Sequence, residues 1–171
     1  DSWAMRPAQI GTLVQQAMGA DLILAEGSMG LFDGVAIPGE AGTGASADIA
    51  GLMGWPVLLV LDVSGQAQSA AAIALGFSAM RADVALAGVV LNRVASSRHE
   101  ALIRTGMEAV GIRVLGALPR RPQVALPERY LGLVQAEEQV GLARFLTEAA
   151  AFVVSHVDMR ALRVLAGATV V

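Results

Sequence analysis

The stretch EGSMGLFDG, Glu26 to Gly34, follows the apolar run DLILA and places two carboxylates seven residues apart around small, flexible residues. Glu26 sits where the run gives way to Gly27. A carboxylate at such a point can bind Mg²⁺ directly or through water, and the glycine lets a phosphate approach the backbone closely. The plainer alternative is a solvated acid at a strand end. Asp33 could orient a substrate carboxylate, ammonia or a second metal contact, or be the acid of an ordinary DG turn. Asn92 closes the run GVVLN. Its amide offers a donor and an acceptor together, which matches the N6/N7 edge of adenine, or it stabilises a loop. Pro119 and the backbone near it could flank a base. Ser46 and Asp48 open a helix whose N-terminus could receive an anion, with Ser46 suited to capping and Asp48 complementing the helix dipole. Arg120, Arg121 and Arg129 form the densest basic patch, fit for carboxylate or phosphate or simply solvated. His99 reads as a surface residue in a first helical turn.

The elements that must position these residues alternate. Residues 20–27, 56–64, 84–93 and 112–120 are nearly continuous apolar runs, as in strands buried on both faces of a parallel sheet. Helical spacing covers 7–19, 46–54, 66–79, 97–110 and 136–154, with a short helix over 158–166. Alternation of this kind predicts an α/β layer fold, a mostly parallel sheet with helices on both faces. Ligands in such folds sit beyond the carboxyl ends of the strands. Glu26, Asp62 and Asn92 all fall at those ends. The glycine-rich segment 34–45 reads as a mobile loop, and 119–135, with three prolines, as an irregular surface excursion.

Composition narrows the chemistry. The 171 residues are 55% hydrophobic and 16% charged, with mean hydropathy +0.60. No run reaches the ~18 apolar residues of a membrane span, and the start has no signal-sequence pattern, so the expectation is a cytoplasmic chain without membrane contact. Net charge is −3 and aromatics are 4%, which argues against nucleic acid. There is no cysteine, hence no disulfide, zinc thiolate or thiol nucleophile in this chain. There is no lysine either: all 12 basic residues are arginine, so neither a Walker A loop nor a Schiff-base lysine is present.

The blocks EGSMGLFDG, SADIAGLMGWPVLLVLD, GVVLNRV, SSRHE, VLGALPR and LPERYLGLVQAEE, in this order over roughly residues 20–145, resemble the synthetase domain of the cobyrinic (hydrogenobyrinic) acid a,c-diamide synthases. The resemblance implies a P-loop NTPase or dethiobiotin-synthetase-like layer fold, here without the first strand and its P-loop. It implies that ATP phosphorylates a corrinoid acetate carboxylate and that glutamine-derived ammonia displaces the phosphate, at the a and c positions in turn. It makes Glu26 the Mg²⁺ ligand, with Gly27 beside the phosphates. Asp33 becomes the acid near the reacting carboxylate and the entering nitrogen. Asn92 becomes the adenine-recognising residue, with Pro119 bordering the base.

Residues 1–155 would then be part of a synthetase domain, and 156–171 the start of a connection toward a glutaminase domain. The open sheet edge beside residues 20–27 predicts a homo-oligomer or pairing with another chain, and the chain alone is expected to lack ligase activity. Two alternatives stay open: the same amidation of nickel sirohydrochlorin, and a ParA/MinD-like ATPase scaffold without catalysis.

Overall fold

A computed structural model describes residues 2–121 and 142–168. Three of the four apolar runs are strands: β1 (Val57–Asp62), β2 (Leu86–Val94) and β3 (Val114–Pro119). They form one three-stranded parallel sheet in the order β1-β2-β3. The helices are α1 (Pro7–Gln16), α2 (Ser46–Met53), α3 (Ser69–Ala79), α4 (Ser97–Ala109), α5 (Leu142–His156) and α6 (Met159–Leu165). The α/β class expected from alternation is therefore present, with α3 and α4 as the crossover helices between successive parallel strands. No helix among the described residues is long and apolar enough to cross a membrane.

Local chemistry sets the helix ends. Ser96 caps α4 by accepting the His99 backbone N–H at 3.2 Å, and Gly111 follows that helix at φ 70°. Gly54 ends α2 in the left-handed region at φ 63°. The cap of α2 is Ala45, not Ser46, and Ser46 is the first helical residue. Its hydroxyl lies instead against Gly27, at 2.5 Å from where a Cβ on that glycine would stand.

Residues 22–27 are the exception among the expected strands. They belong to no strand, and Leu24 is 82% exposed. An apolar run becomes a strand only when its N–H and C=O groups find a ladder partner. None is present for this run among the described residues. Segment 34–45 departs in the other direction. Instead of an untethered loop it carries internal bonds, from Val35 N–H to Thr43 C=O at 2.9 Å and from Gly39 N–H to Gly42 C=O at 2.8 Å. The Trp3 indole N–H also donates to its Ile37 carbonyl at 2.9 Å. The excursion expected over 119–135 lies, beyond Arg121, outside the described residues, as does Arg129.

The chain divides into two compact units. Among the described residues, the first comprises 2–58, 76–87 and 160–168. Its core is Ala47, Ala50 and Val84, packed with Leu31, Phe32 and Val57. The second comprises 59–75, 88–121 and 142–159. Its fully buried side chains include Leu91, Ile103, Met107, Val63 and Val89.

Within the second unit the end of α5 closes onto β3. Val157 bridges Gly116, and Asp158 N–H donates to Leu115 C=O at 2.8 Å. A Cβ at Gly116 would stand 2.7 Å from the His156 carbonyl oxygen and 2.9 Å from Val157 Cα, both backbone atoms that cannot swing aside. Gly116→Val is therefore expected to cost about 1–3 kcal/mol, read as a lowered urea midpoint at unchanged slope.

Candidate functional site

In the first unit, EGSMGLFDG is a turn pinned by its own apolar residues. Leu31 and Phe32 pack on the core, Phe32 meets Phe77 at a ring-centroid distance of 5.7 Å, and Leu31 C=O accepts the Ala47 N–H at 2.9 Å. Those anchors leave Glu26, Gly27 and Asp33 exposed at the surface. Asp33 N–H donates to Gly30 C=O at 3.0 Å, a tight turn that folds the Asp33 carboxylate back over Gly30. The expected metal ligand and the expected catalytic acid thus lie on one short, solvent-facing segment. Glycine occupies the positions where the backbone is approached, and the hydroxyl of Ser46 lies beside Gly27.

Asp48, placed in the sequence as a helix-dipole partner, does more than that. Its carboxylate accepts the Thr43 backbone N–H at 2.7 Å, the Thr43 hydroxyl at 3.1 Å and Arg81 Nη1 at 2.6 Å. Burial opposes its charge. The bonds from Arg81 and Thr43 outweigh that cost and hold the carboxyl below the ordinary aspartate range. Arg81 also grips Asp83 through two bonds, Nε–Oδ1 at 3.0 Å and Nη2–Oδ2 at 2.6 Å. Asp83 first, then Asp48, raises the affinity of this guanidinium for its proton.

In the second unit, Asn92 and Pro119 come to the carboxyl end of the sheet. Between Leu91 and Val94 strand β2 advances three residues while β3 advances two, from Ala117 to Pro119. The extra residue makes a bulge, and Arg93 takes it up at φ 60°, a left-handed conformation uncommon for a long side chain. Bulges re-aim side chains next to functional sites. Here Asn92 Oδ1 accepts the Arg93 backbone N–H at 2.9 Å, which fixes the amide plane and leaves the amide N–H₂ as donors. Asp62 at the end of β1 accepts Ser64 N–H at 2.9 Å and Arg93 Nη1 at 3.2 Å. The Ser64 bond, supported by Arg93 and Arg120, lowers its carboxyl below the usual range. Arg120 N–H donates to Val94 C=O at 3.0 Å, and its guanidinium reaches Ser64 C=O at 3.3 Å.

Two residues differ from the sequence expectation in placement. His99 is half-buried, not a plain surface residue. Its Nδ1 accepts the Ala95 N–H at 3.1 Å, so its Nε2 carries the proton donated to the Gln66 carbonyl. Arg121, exposed, places its guanidinium carbon 5.3 Å from the Phe152 ring centre, a cation–π contact that the basic-patch reading did not include. The links from Thr43 and Arg81 to Asp48, and the left-handed Arg93, were not singled out from the sequence. They depend on contacts across 5, 33 and 31 residues that no local pattern encodes.

A parallel α/β sheet whose strand ends gather an asparagine, acids and arginines is the architecture of a nucleotide-binding domain. Residues 8–134 match the family described as CobQ/CobB/MinD/ParA nucleotide binding domain, and the chain belongs to that family. It is 60% identical over 168 residues to the Hydrogenobyrinate a,c-diamide synthase of Rhodobacter capsulatus, covering 98% of this chain and 39% of that protein. Identity to the synthase of the same name from Brucella suis is 52%, covering 96% of this chain and 37% of the relative. The synthase of that name from Agrobacterium fabrum is 52% identical over 139 residues, 81% of this chain and 32% of the relative. The chain thus spans well under half the length of these relatives. No solved structure matches it.

Proposed function

We propose that this chain is the nucleotide-handling part of an ATP- and glutamine-dependent ligase that amidates the a and c acetate side chains of hydrogenobyrinate. The observation that carries this reading is the 60% identity across 98% of the chain to a protein bearing that name. The geometry supports it. Glu26 and Asp33 share one exposed turn, and Asn92 is oriented by a bulge at the carboxyl end of the sheet.

The residues fit Mg²⁺ as this chemistry uses it. Among the described residues no group of three or more acids or histidines could cage a metal. Mg²⁺ commonly keeps its waters and is shared between one or two carboxylates and substrate phosphates. Glu26, exposed and followed by Gly27, suits that arrangement. Bound there, Mg²⁺ supplies neutralisation of phosphate charge. Asp33 orients the acetate and receives a proton from the incoming ammonia. The Asn92 amide holds the adenine edge, and Pro119 borders it. Catalysis then consists mainly of positioning and charge compensation.

An intact synthase carrying this chain, given hydrogenobyrinate, Mg·ATP and glutamine, is expected to form the a,c-diamide with ADP and phosphate, followed by mass spectrometry. Amidation of nickel sirohydrochlorin with hydrogenobyrinate left untouched would overturn the corrinoid assignment. In the same enzyme Asn92→Ala should raise the KM for ATP about tenfold, the order of one bidentate base contact, with kcat nearly unchanged. A KM for ATP equal to wild type would remove Asn92 from the nucleotide site.

A further inference from the structure

We infer that Asp48 and Thr43 are positioning residues for the reaction, acting on Asp33 through the loop that joins them; this rests on the proposed role of Asp33. The connection is continuous. Arg81 holds Asp48, and Asp48 holds Thr43 at both its backbone N–H and its hydroxyl. Thr43 in turn receives the Val35 N–H on its carbonyl. Its hydroxyl and backbone fill the space that a side chain at Gly34 would need. A Cβ at Gly34 would stand 2.7 Å from Thr43 Cβ and 2.8 Å from its carbonyl oxygen. Gly34 is the residue after Asp33. The turn bearing Asp33 is thus fixed on one side by Leu31 and Phe32 in the core and on the other by Thr43, itself held by the mostly buried Asp48 carboxylate.

Asp33 is exposed, and its placement comes from the turn on either side of it. A carboxylate that must meet both an acetate and an entering ammonia has to be held to within a fraction of an ångström. Loss of the Thr43 tether frees the Gly34 side of the turn while the Leu31–Phe32 anchor persists. The expected consequence is a poorly aimed Asp33 in a molecule that still binds nucleotide.

The test is a mutant cycle in the intact synthase at saturating ATP. Asp48→Asn is expected to lower kcat about tenfold, since small misplacements at a reacting centre are this costly, with the KM for ATP unchanged. Thr43→Val keeps the backbone N–H and removes only the hydroxyl. It should give a smaller fall in kcat and serves as the readout where Asp48→Asn does not fold. Asp33→Asn should lower kcat further, and adding Asp48→Asn or Thr43→Val to Asp33→Asn should cost nothing more.

A product of the separate losses in the double variants would show that Asp48 and Thr43 act independently of Asp33 and would overturn the inference. So would wild-type kcat in both single variants while Asp33→Asn is impaired. Full activity of Asp33→Asn would instead overturn the proposed role of Asp33, and the inference with it. The two failures are read from different variants.

Discussion

Glu26→Gln in an intact synthase carrying this chain is expected to lower kcat by about 10²–10³, the loss typical when one preorganised charge is removed from a site that compensates developing charge. The substitution keeps the side chain's length and shape, removes the negative charge and replaces one acceptor oxygen with an N–H₂ donor. An amide oxygen binds Mg²⁺ weakly and cannot balance the ion. Glu26 is exposed, so the fold should be indifferent, with stability within about 0.5 kcal/mol of wild type. The KM for hydrogenobyrinate should also hold, because the proposed role puts the carboxylate on the metal–phosphate side. Raising Mg²⁺ should recover part of the rate, which separates a metal ligand from a proton donor. Normal turnover by Glu26→Gln at ordinary Mg²⁺ would end the metal assignment and with it the account of this turn.

The sequence made some of this legible and hid the rest for identifiable reasons. The runs 56–64, 84–93 and 112–120 became β1, β2 and β3 because each has a neighbour to complete its ladder. The run 20–27 is also apolar, but its residues 22–27 have no ladder partner among the described residues, and composition does not encode partners. Helix α4 was readable to its cap, since Ser96 and Gly111 act locally. Helix α2 misled because Ser46 looks like a cap, whereas the polar group that ties down the helix start is Asp48, reaching back to Thr43.

Of the candidate site, the exposed carboxylates and Asn92 could be found from their positions after apolar runs. The bulge that aims Asn92 could not. It is a difference of one residue between β2 and β3, visible only when the two strands are paired. The glycine-rich loop 34–45 showed the same limit. Glycine signals conformational freedom, but whether that freedom is used for motion or for close packing is decided by what lies opposite. At Gly34 what lies opposite is Thr43.

Arg81→Leu is expected to lower stability by about 2–3 kcal/mol at neutral pH, the range for charge-assisted hydrogen bonds whose remaining partner stays largely desolvated. Asp48 is only 12% exposed at its side chain, and Arg81 is the cation paired with it. Asp83, the other carboxylate on Arg81, is 55% exposed, and its loss of a partner should matter little. The pH dependence identifies the cause. In the wild type the folded Asp48 carboxyl lies below its unfolded value of about 3.9. Its contribution is therefore complete above that value and is lost as pH falls through the lower, folded one. Arg81→Leu removes the guanidinium's share of what holds the carboxyl down and leaves only the Thr43 bonds to oppose burial, which favours the protonated acid. The gap between wild type and variant should be widest near neutrality and narrow as pH drops below about 4. Arg81→Lys, which keeps the charge and loses the planar fork, should fall between them. Urea midpoints measured from neutral pH into the acid range decide the matter. A gap that stays constant across that range would mean the loss comes from packing of the arginine stem and not from the carboxylate it holds.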